Sequence, residues 1–515
     1  MIKVNKLRML AVLLILAGTR AQAEMTFPDI LRSLTAGKSN IVTEVPELDR
    51  LLHAKDLESA RLILQNKSLT DYSSNEKTSV INTSKIADLI RKRNLTFVIV
   101  PGVLGEFIDT RAFEEVFARS SSFRTQWETA ANQARAMDSR FDLESFSVKP
   151  QKISELVNAG SIDDSQGKPL VKLVILRTYL GSMDSVGSNV EKAAVFNRRL
   201  QIYMNLMKDQ NVILMGYSRG TPLALEMITQ AQAQGLSYLK NVKAVVSYAG
   251  VVSGSALADV TDDLNTDSGK QLAAAKILLS KLQTSNSIWD RPQKLSENTL
   301  AINQFLFAVA GNSKFDPNAF LASARSGDSK TVMALITKML GELGFMSVYD
   351  FNGHVNRVKF FIGQVLNAVE ELKSRSLVSW WKTHNLPRNI QYLSIAAAMV
   401  DPDKSQMEKN IFDLREGYSD SLDDQSLIEN QRTYAKLTGV SMNDSQVALY
   451  QSLFLPEIIR GLNPQNANLN IKSLGILQTH HWGVSLQVVN KMKDGRLNPF
   501  PRESVLLALA AYLNQ

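Results

Sequence analysis

A serine stands at the centre of Gly216-Tyr217-Ser218-Arg219-Gly220, with a glycine two residues to each side. The preceding residues 211–215 form a short apolar run, and residues 221–228 have the pattern of a helix with proline in its first turn. A serine on such a sharp strand-to-helix turn is exposed for nucleophilic attack, and side chains at the two glycine positions would collide with the flanking strand and helix. This context predicts that Ser218 is a nucleophile.

A serine hydroxyl attacks well only when a base removes its proton and a third group orients that base. The chain has five histidines: His53, His354, His384, His480 and His481. In the strand order proposed below, the base must follow the last strand, and only His480 and His481 do so. We favour His481 as the base, with His480 as the alternative.

The orienting acid is expected after the strand that precedes the last one. Asp401 and Asp403 directly follow an apolar run at 390–396, whereas Asp444 lies later and closer in sequence to the histidines. Each of the three satisfies the chain order serine, aspartate, histidine. The residues themselves leave this choice open.

The negative charge that develops on a substrate oxygen needs two backbone N–H donors. The amide of Arg219, directly after the nucleophile, is expected to supply one. The second is expected from the loop Pro101-Gly102-Val103-Leu104-Gly105, where glycines permit close approach of the backbone. Val103 is the favoured donor in that loop.

The order of predicted elements indicates an α/β fold, a mostly parallel sheet with helices on both faces. Strands are predicted at 95–100, 171–176, 211–215, 242–248, 390–396 and 474–477. Helices are predicted at about 112–137 and 190–207, from about Trp482, and at 502–513. Residues 265–385 contain four helical patterns and no strand of this kind, which favours a helical cap inserted into the sheet.

The N-terminus has the three parts of a secretory signal. Lys3, Lys6 and Arg8 precede an apolar core at 9–17, and Ala21-Gln22-Ala23 is a small-x-small cleavage site. An uncleaved anchor is the alternative, but this core is about half as long as a spanning helix. We therefore expect a secreted or periplasmic protein.

Five regions follow from these patterns. They are a signal peptide at 1–23, a helical extension at 24–90, the first part of the α/β core at 91–264, the cap at 265–385 and the second part of the core at 386–515.

Composition excludes several classes of protein. With 44% hydrophobic and 21% charged residues, the chain has a globular composition, and without cysteine it forms no disulfide. The basic run Arg91-Lys92-Arg93 has no interleaved aromatic residues, so we expect a solvated helix end and no nucleic-acid partner. No zinc-ligand spacing or nucleotide-binding glycine loop is present in the sequence, and we expect neither a metal nor another cofactor.

Together these segments resemble the α/β-hydrolase superfamily, within it the bacterial lipase- and esterase-like branch. The resemblance is carried by residues 100–105, 216–220, 254–259 and 443–447, and by the histidine at 481. It implies that Asp444 is the acid, since Asn443-Asp444-Ser445-Gln446-Val447 is similar to the family's Asn-Asp-Gly-x-Val segment. Serine replaces the usual glycine at 445, and Val252 stands near the position of a histidine found in the family.

The resemblance implies a carboxylic ester hydrolase with Ser218, His481 and Asp444 as a triad, acting on a small-molecule or lipid ester. Transient contact with a membrane or lipid surface is compatible with such a substrate. An acyltransferase with the same triad, or a non-catalytic binding module, are the alternatives. The sequence does not predict an oligomeric state. Side chains expected either to line an acyl pocket or to pack the cap onto the core are Phe305, Leu306, Phe307, Phe360, Phe361 and Trp380.

Overall fold

The structure is a computed structural model. It describes residues 25–35, 42–43, 45–72, 83–102, 122–137, 153–177, 188–262, 367–399, 431–481, 483–485 and 500–515. The predicted signal peptide and most of the predicted cap lie outside these residues. None of the helices within them is long and apolar enough to cross a bilayer.

Eight strands in the described part of the chain form one sheet. They are β1 (Val42–Thr43), β2 (Leu95–Val100), β3 (Val157–Asp163), β4 (Pro169–Leu176), β5 (Val212–Tyr217), β6 (Val242–Tyr248), β7 (Gln391–Ala398) and β8 (Asn470–Gln478). Their order is β1-β8-β7-β6-β5-β2-β4-β3. The six central strands are parallel, and β1 and β3 pair antiparallel at the two edges. The prediction of a mostly parallel sheet is confirmed.

Helices cover both faces of this sheet, as predicted. Their bounds are α1 (Phe27–Leu34), α2 (Glu47–Leu52), α3 (Leu57–Leu64), α4 (Thr83–Lys92), α5 (Ser122–Met137), α6 (Asn189–Met207), α7 (Gly220–Gln234), α8 (Ala256–Asp259), α9 (Ser374–Thr383), α10 (Leu449–Ser452), α11 (Pro456–Leu462) and α12 (Arg502–Leu513). Alternate residues of a strand point to opposite faces. Phe97 and Ile99 of β2 therefore join the core under α1, α4 and α12, while Val98 and Val100 join the core under α5, α6 and α7.

The residues before β2 are part of this packing. Helix α1 packs against α12, and β1 extends the sheet by pairing Val42 with Leu477 of β8. The two ends of the described chain also meet, because the amide of Met25 donates to Oε1 of Gln515 at 2.7 Å. The return bond, from Nε2 of Gln515 to the Met25 carbonyl, measures 2.8 Å. The sequence predicted the helices of this region and missed its strand.

The chain leaves the sheet after β6 and returns before β7 through what we call the neck, residues 259–262 and 370–375. Both carboxylate oxygens of Asp259 accept hydrogen bonds from Ser374, one from the amide at 2.8 Å and one from the hydroxyl at 2.6 Å. The carboxylate thereby caps α9. These bonds join the two segments of the neck.

Candidate active site

Ser218 lies on the sharp turn between β5 and α7, at the carboxyl edge of the parallel strands. Its φ is +55°, a left-handed conformation that is costly for a residue with a Cβ. The residue is half-buried. The fold thus presents this hydroxyl at the edge of the sheet in a strained turn.

The two flanking glycines are required by the closeness of the backbone. A Cβ added at Gly216 would lie 2.5 Å from the Cα of Thr221. A Cβ added at Gly220 would overlap the carbonyl oxygen of Val100, at the end of β2. This is the collision with strand and helix expected from the sequence.

The loop after β2 begins directly against the nucleophile. Strands β2 and β5 are neighbours, with Val100 opposite Gly216, so the end of β2 reaches the serine turn. A Cβ added at Gly102 would lie 3.0 Å from Cβ of Ser218 and 3.5 Å from its Oγ. The predicted donor Val103 lies outside the described residues, and its role stays a prediction.

Arg219 directly precedes α7, whose first residue is Gly220. Amides at the start of a helix have no carbonyl four residues earlier to bind, and they carry the positive end of the helix dipole. The amide of Arg219 therefore lies at a position that suits an oxyanion. Its guanidinium is buried, and burial lowers the pKa of the group against the opposing effect of Glu371.

His481 and Asp444 form a buried pair. Nδ1 of His481 lies 2.6 Å from Oδ2 of Asp444, and both side chains are 1% exposed. The other oxygen, Oδ1, accepts from the amides of Gln446 at 3.0 Å and Val447 at 2.7 Å. The amide of His481 donates to the carbonyl of Asp444 at 2.8 Å, so backbone and side chain fix the same orientation. With a carboxylate at Nδ1, that nitrogen carries the proton and Nε2 is the basic atom.

Tyr217 connects this pair to the nucleophile. Its ring stacks on the His481 imidazole, with centroids 5.2 Å apart and planes at 29°. Its hydroxyl donates to the carbonyl of His481 at 2.9 Å. Because Tyr217 precedes Ser218 in the chain, these contacts hold the imidazole beside the serine turn. Within the described part of the chain, Nε2 of His481 has no hydrogen-bond partner and is left to accept a proton.

The alternative base, His480, has a different environment. Burial, reinforced by the neighbouring His481, lowers its pKa from 6.5 to about 3, so the ring is neutral at physiological pH. The amide of Gly483 donates to its Nδ1 at 2.9 Å. Residues 483–485 form a turn, which supplies the bond. The rest of the helix predicted from about Trp482 lies outside the described residues.

The acid loop, residues 443–447 around Asp444, contains a second strained serine. Ser445 has φ +84°, which explains why glycine is usual at this position in the family that the sequence resembles. Its amide donates to Oδ1 of Asn443 at 3.0 Å. Its Oγ is buried, and no described residue bonds to it. The alternative acid, Asp401, lies outside the described residues.

One of the predicted pocket residues can be located. Trp380, on α9, donates through Nε1 to a carboxylate oxygen of Glu226 on α7 at 2.7 Å, and it stacks on His384 with centroids 4.5 Å apart. These contacts pack the returning chain onto the core. The five phenylalanine and leucine candidates between 305 and 361 lie outside the described residues.

Sequence reasoning did not single out Glu371. Its Oε2 lies 2.7 Å from a guanidinium nitrogen of Arg219. No signal in the sequence joins two residues so far apart in the chain.

The strand order is that of the α/β-hydrolase fold, with the serine on the turn after β5, the aspartate after β7 and the histidine after β8. No protein-family model matches the chain, and no curated protein matches its sequence.

Two solved structures are similar to it at low identity. The metagenomic carboxyl esterase MGS0156 has a TM-score of 0.42 and 13% identity over 95% of this chain and 91% of its own. The Bacillus licheniformis lipase BlEst2, in its mature form, has a TM-score of 0.30 and 12% identity over 76% of this chain and 86% of its own. Similarity at this level says nothing about the reaction of this chain.

Proposed function

We propose that this protein is an exported serine hydrolase that cleaves a carboxylic ester through an acyl-enzyme on Ser218. One observation carries the proposal. The strained Ser218 turn is joined through Tyr217 to an imidazole whose Nδ1 is paired, at 2.6 Å, with the buried carboxylate of Asp444. A nucleophile, a base and an orienting acid together transfer an acyl group to a serine by the triad mechanism.

In the first half of the reaction, Oγ of Ser218 attacks the ester carbonyl while Nε2 of His481 takes its proton. Asp444 stabilises the imidazolium that forms. The amide of Arg219, with that of Val103, donates to the oxyanion of the tetrahedral intermediate. The carbon–oxygen bond to the alcohol then breaks, His481 gives its proton to the departing alcohol, and the acyl group stays on Ser218.

In the second half, water attacks the acyl-enzyme and loses a proton to Nε2 of His481. The tetrahedral intermediate collapses, the proton returns to Oγ of Ser218, and the carboxylic acid leaves. Each cycle consumes one ester and one water and returns the triad to its starting state.

The proposed substrate is an ester with an apolar acyl chain. The apolar side chains Phe305, Leu306, Phe307, Phe360 and Phe361 in the predicted cap, residues 265–385, support this choice of substrate. Export follows from the proposed signal peptide, and N-terminal sequencing of secreted protein should begin at Glu24. A protein that retains residues 1–23 would contradict the cleavage.

Hydrolysis of nitrophenyl esters of increasing chain length tests the reaction. We expect the wild type to be active and Ser218→Ala to lose about four orders of magnitude or more in kcat. Ser237→Ala, an exposed serine just beyond α7, is the matched control and should equal the wild type. Absence of activity in folded wild type would refute the proposal. Activity confined to the acetate and propionate esters would contradict a long acyl chain in the substrate. Preferential transfer of the acyl group to an added alcohol would make the enzyme an acyltransferase.

A further inference from the structure

The guanidinium of Arg219 is buried beside the nucleophile. Its side chain is 1% exposed, and it forms an ion pair with Glu371 at 2.7 Å. A cation held out of water is costly unless an opposite charge and hydrogen bonds replace the lost solvent. The carboxylate of Glu371 therefore supplies an opposite charge that the buried guanidinium requires.

Glu371 is itself fixed by a second element. Both of its carboxylate oxygens lie 2.9 Å from the amide of Asn189, the first residue of α6. The hydroxyl of Ser188 caps the same helix by accepting from the amide of Glu191. One carboxylate thus joins the start of α6 to the residue that follows the nucleophile.

The backbone of Glu371 is held by the neck. Two residues later, the buried ammonium of Lys373 binds Asp262, in the other segment of the neck, at 2.6 Å. The segment that carries Glu371 is therefore fixed by its bonds to the other segment of the neck.

We propose that Glu371 is a positioning residue for the oxyanion donor. By holding the Arg219 side chain against the start of α6, it fixes the planar peptide between Ser218 and Arg219, whose N–H donates to the oxyanion. This inference rests on the proposed function. It makes the oxyanion site depend on the ion pair between Arg219 and Glu371, a residue of the neck. A displacement of about 1 Å in a catalytic group lowers rates by up to about 100-fold.

Glu371→Gln tests the proposal, with Glu370→Gln as the matched control. The amide of glutamine keeps the shape and one acceptor for Asn189 but removes the charge that faces Arg219. The control removes a neighbouring carboxylate that binds Lys373 and Arg375 within its own segment of the neck and is not bonded to Arg219. It leaves the contact between Lys373 and Asp262 across the neck in place. We expect Glu371→Gln to lower kcat by about 10- to 100-fold with KM changed less than about twofold. The rate of inactivation by a fluorophosphonate should fall by the same factor, and Glu370→Gln should leave both unchanged.

Arg219→Gln and the double variant show whether Glu371 acts through Arg219. We expect the single Arg219 variant to lose as much activity as Glu371→Gln, and the double variant to lose no more than either. Thermal unfolding establishes that each variant is folded, and if one single variant does not fold, the other decides. A purely structural role would lower the melting temperature without changing kcat.

Two kinds of failure are distinguishable. Active wild type, with Glu371→Gln equal to Glu370→Gln or with additive losses in the double variant, would overturn the role of Glu371 alone. Wild type that neither hydrolyses esters nor reacts with the fluorophosphonate would overturn the proposed function and this inference with it.

Discussion

Replacing Asp444 by asparagine should remove most of the activity while preserving the shape of the acid loop. Oδ1 of Asp444 binds two backbone amides, and the asparagine carbonyl can keep those bonds. What is lost is the charge at Oδ2, 2.6 Å from Nδ1 of His481. The substitution therefore tests the electrostatic role of the acid separately from its structural role.

The size of the effect follows from the geometry of the buried pair. With charge centres about 4 Å apart and an effective dielectric constant of about 20, the carboxylate stabilises an imidazolium by about 4 kcal/mol. The imidazolium forms only as the serine attacks, so this energy lowers the barrier. Each 1.4 kcal/mol, roughly, is a factor of ten, and kcat should fall by about three orders of magnitude. An asparagine amide facing Nδ1 would also favour the wrong tautomer and add to the loss.

The assay is hydrolysis of a nitrophenyl ester at pH 8, with thermal unfolding to show that the variant is folded. Asp401→Asn, the other candidate from the sequence, is the matched control and should keep kcat near that of the wild type. A loss of less than about tenfold at Asp444 would refute the electrostatic reasoning. A greater loss at Asp401 would transfer the role of the acid to that residue.

Three further predictions concern the same edge of the sheet. Ser445→Gly should raise the free energy of unfolding in urea by about 1 kcal/mol, because it removes a left-handed serine whose buried hydroxyl bonds to none of the described residues. The greater flexibility of glycine in the unfolded chain offsets part of this gain, and a lower free energy of unfolding than that of the wild type would contradict the assigned conformation. His480 has a folded pKa of about 3 against the ordinary 6.5, so the unfolded state takes up its proton first and stability falls as the pH drops from 6.5 toward 3. We expect a loss of about 2 kcal/mol at pH 5, measured by urea unfolding, and an unchanged pH dependence in His480→Gln would disprove its burial as a neutral ring. Gly102→Ala should lower kcat by about tenfold or more in a folded protein, because the new Cβ would lie 3.0 Å from that of Ser218; wild-type kcat would show that the loop yields freely.

The central strands were predictable because they are buried on both faces. Every residue of β2 and of β5 is buried, so each has a mainly apolar sequence of strand length. Helix α12 was predictable because residues 505–513 form an apolar run of helix length, and its predicted bounds are those observed. Patterns of this kind need no knowledge of the rest of the chain.

The edge strands could not be predicted in this way. β1 has only two residues, too few for any periodicity, and β3 is the mixed sequence Val-Asn-Ala-Gly-Ser-Ile-Asp, in which polar residues and a glycine interrupt the apolar pattern. Both are strands because a neighbour, β8 or β4, offers unpaired backbone groups. Tertiary contact, and not local sequence, determines them.

The candidate site also contains residues that the sequence indicates and a contact that only the tertiary structure determines. Ser218 was predictable because the turn requires the glycines on either side of it. Chain order favoured His481 and the family resemblance implied Asp444, and these two residues are paired in the structure. The contact between Arg219 and Glu371 depends on how the returning neck packs, and nothing local to either residue indicates it.

The central claim is that Ser218 is a nucleophile activated by the pair formed by His481 and Asp444. Mass spectrometry of the intact protein and of its proteolytic peptides after treatment with a fluorophosphonate tests it most directly, because the probe adds to an activated serine. We predict one adduct per chain on the wild type, on a peptide that contains Ser218, and none on Ser218→Ala. A folded wild type without an adduct, or an adduct that persists in Ser218→Ala, would contradict the account.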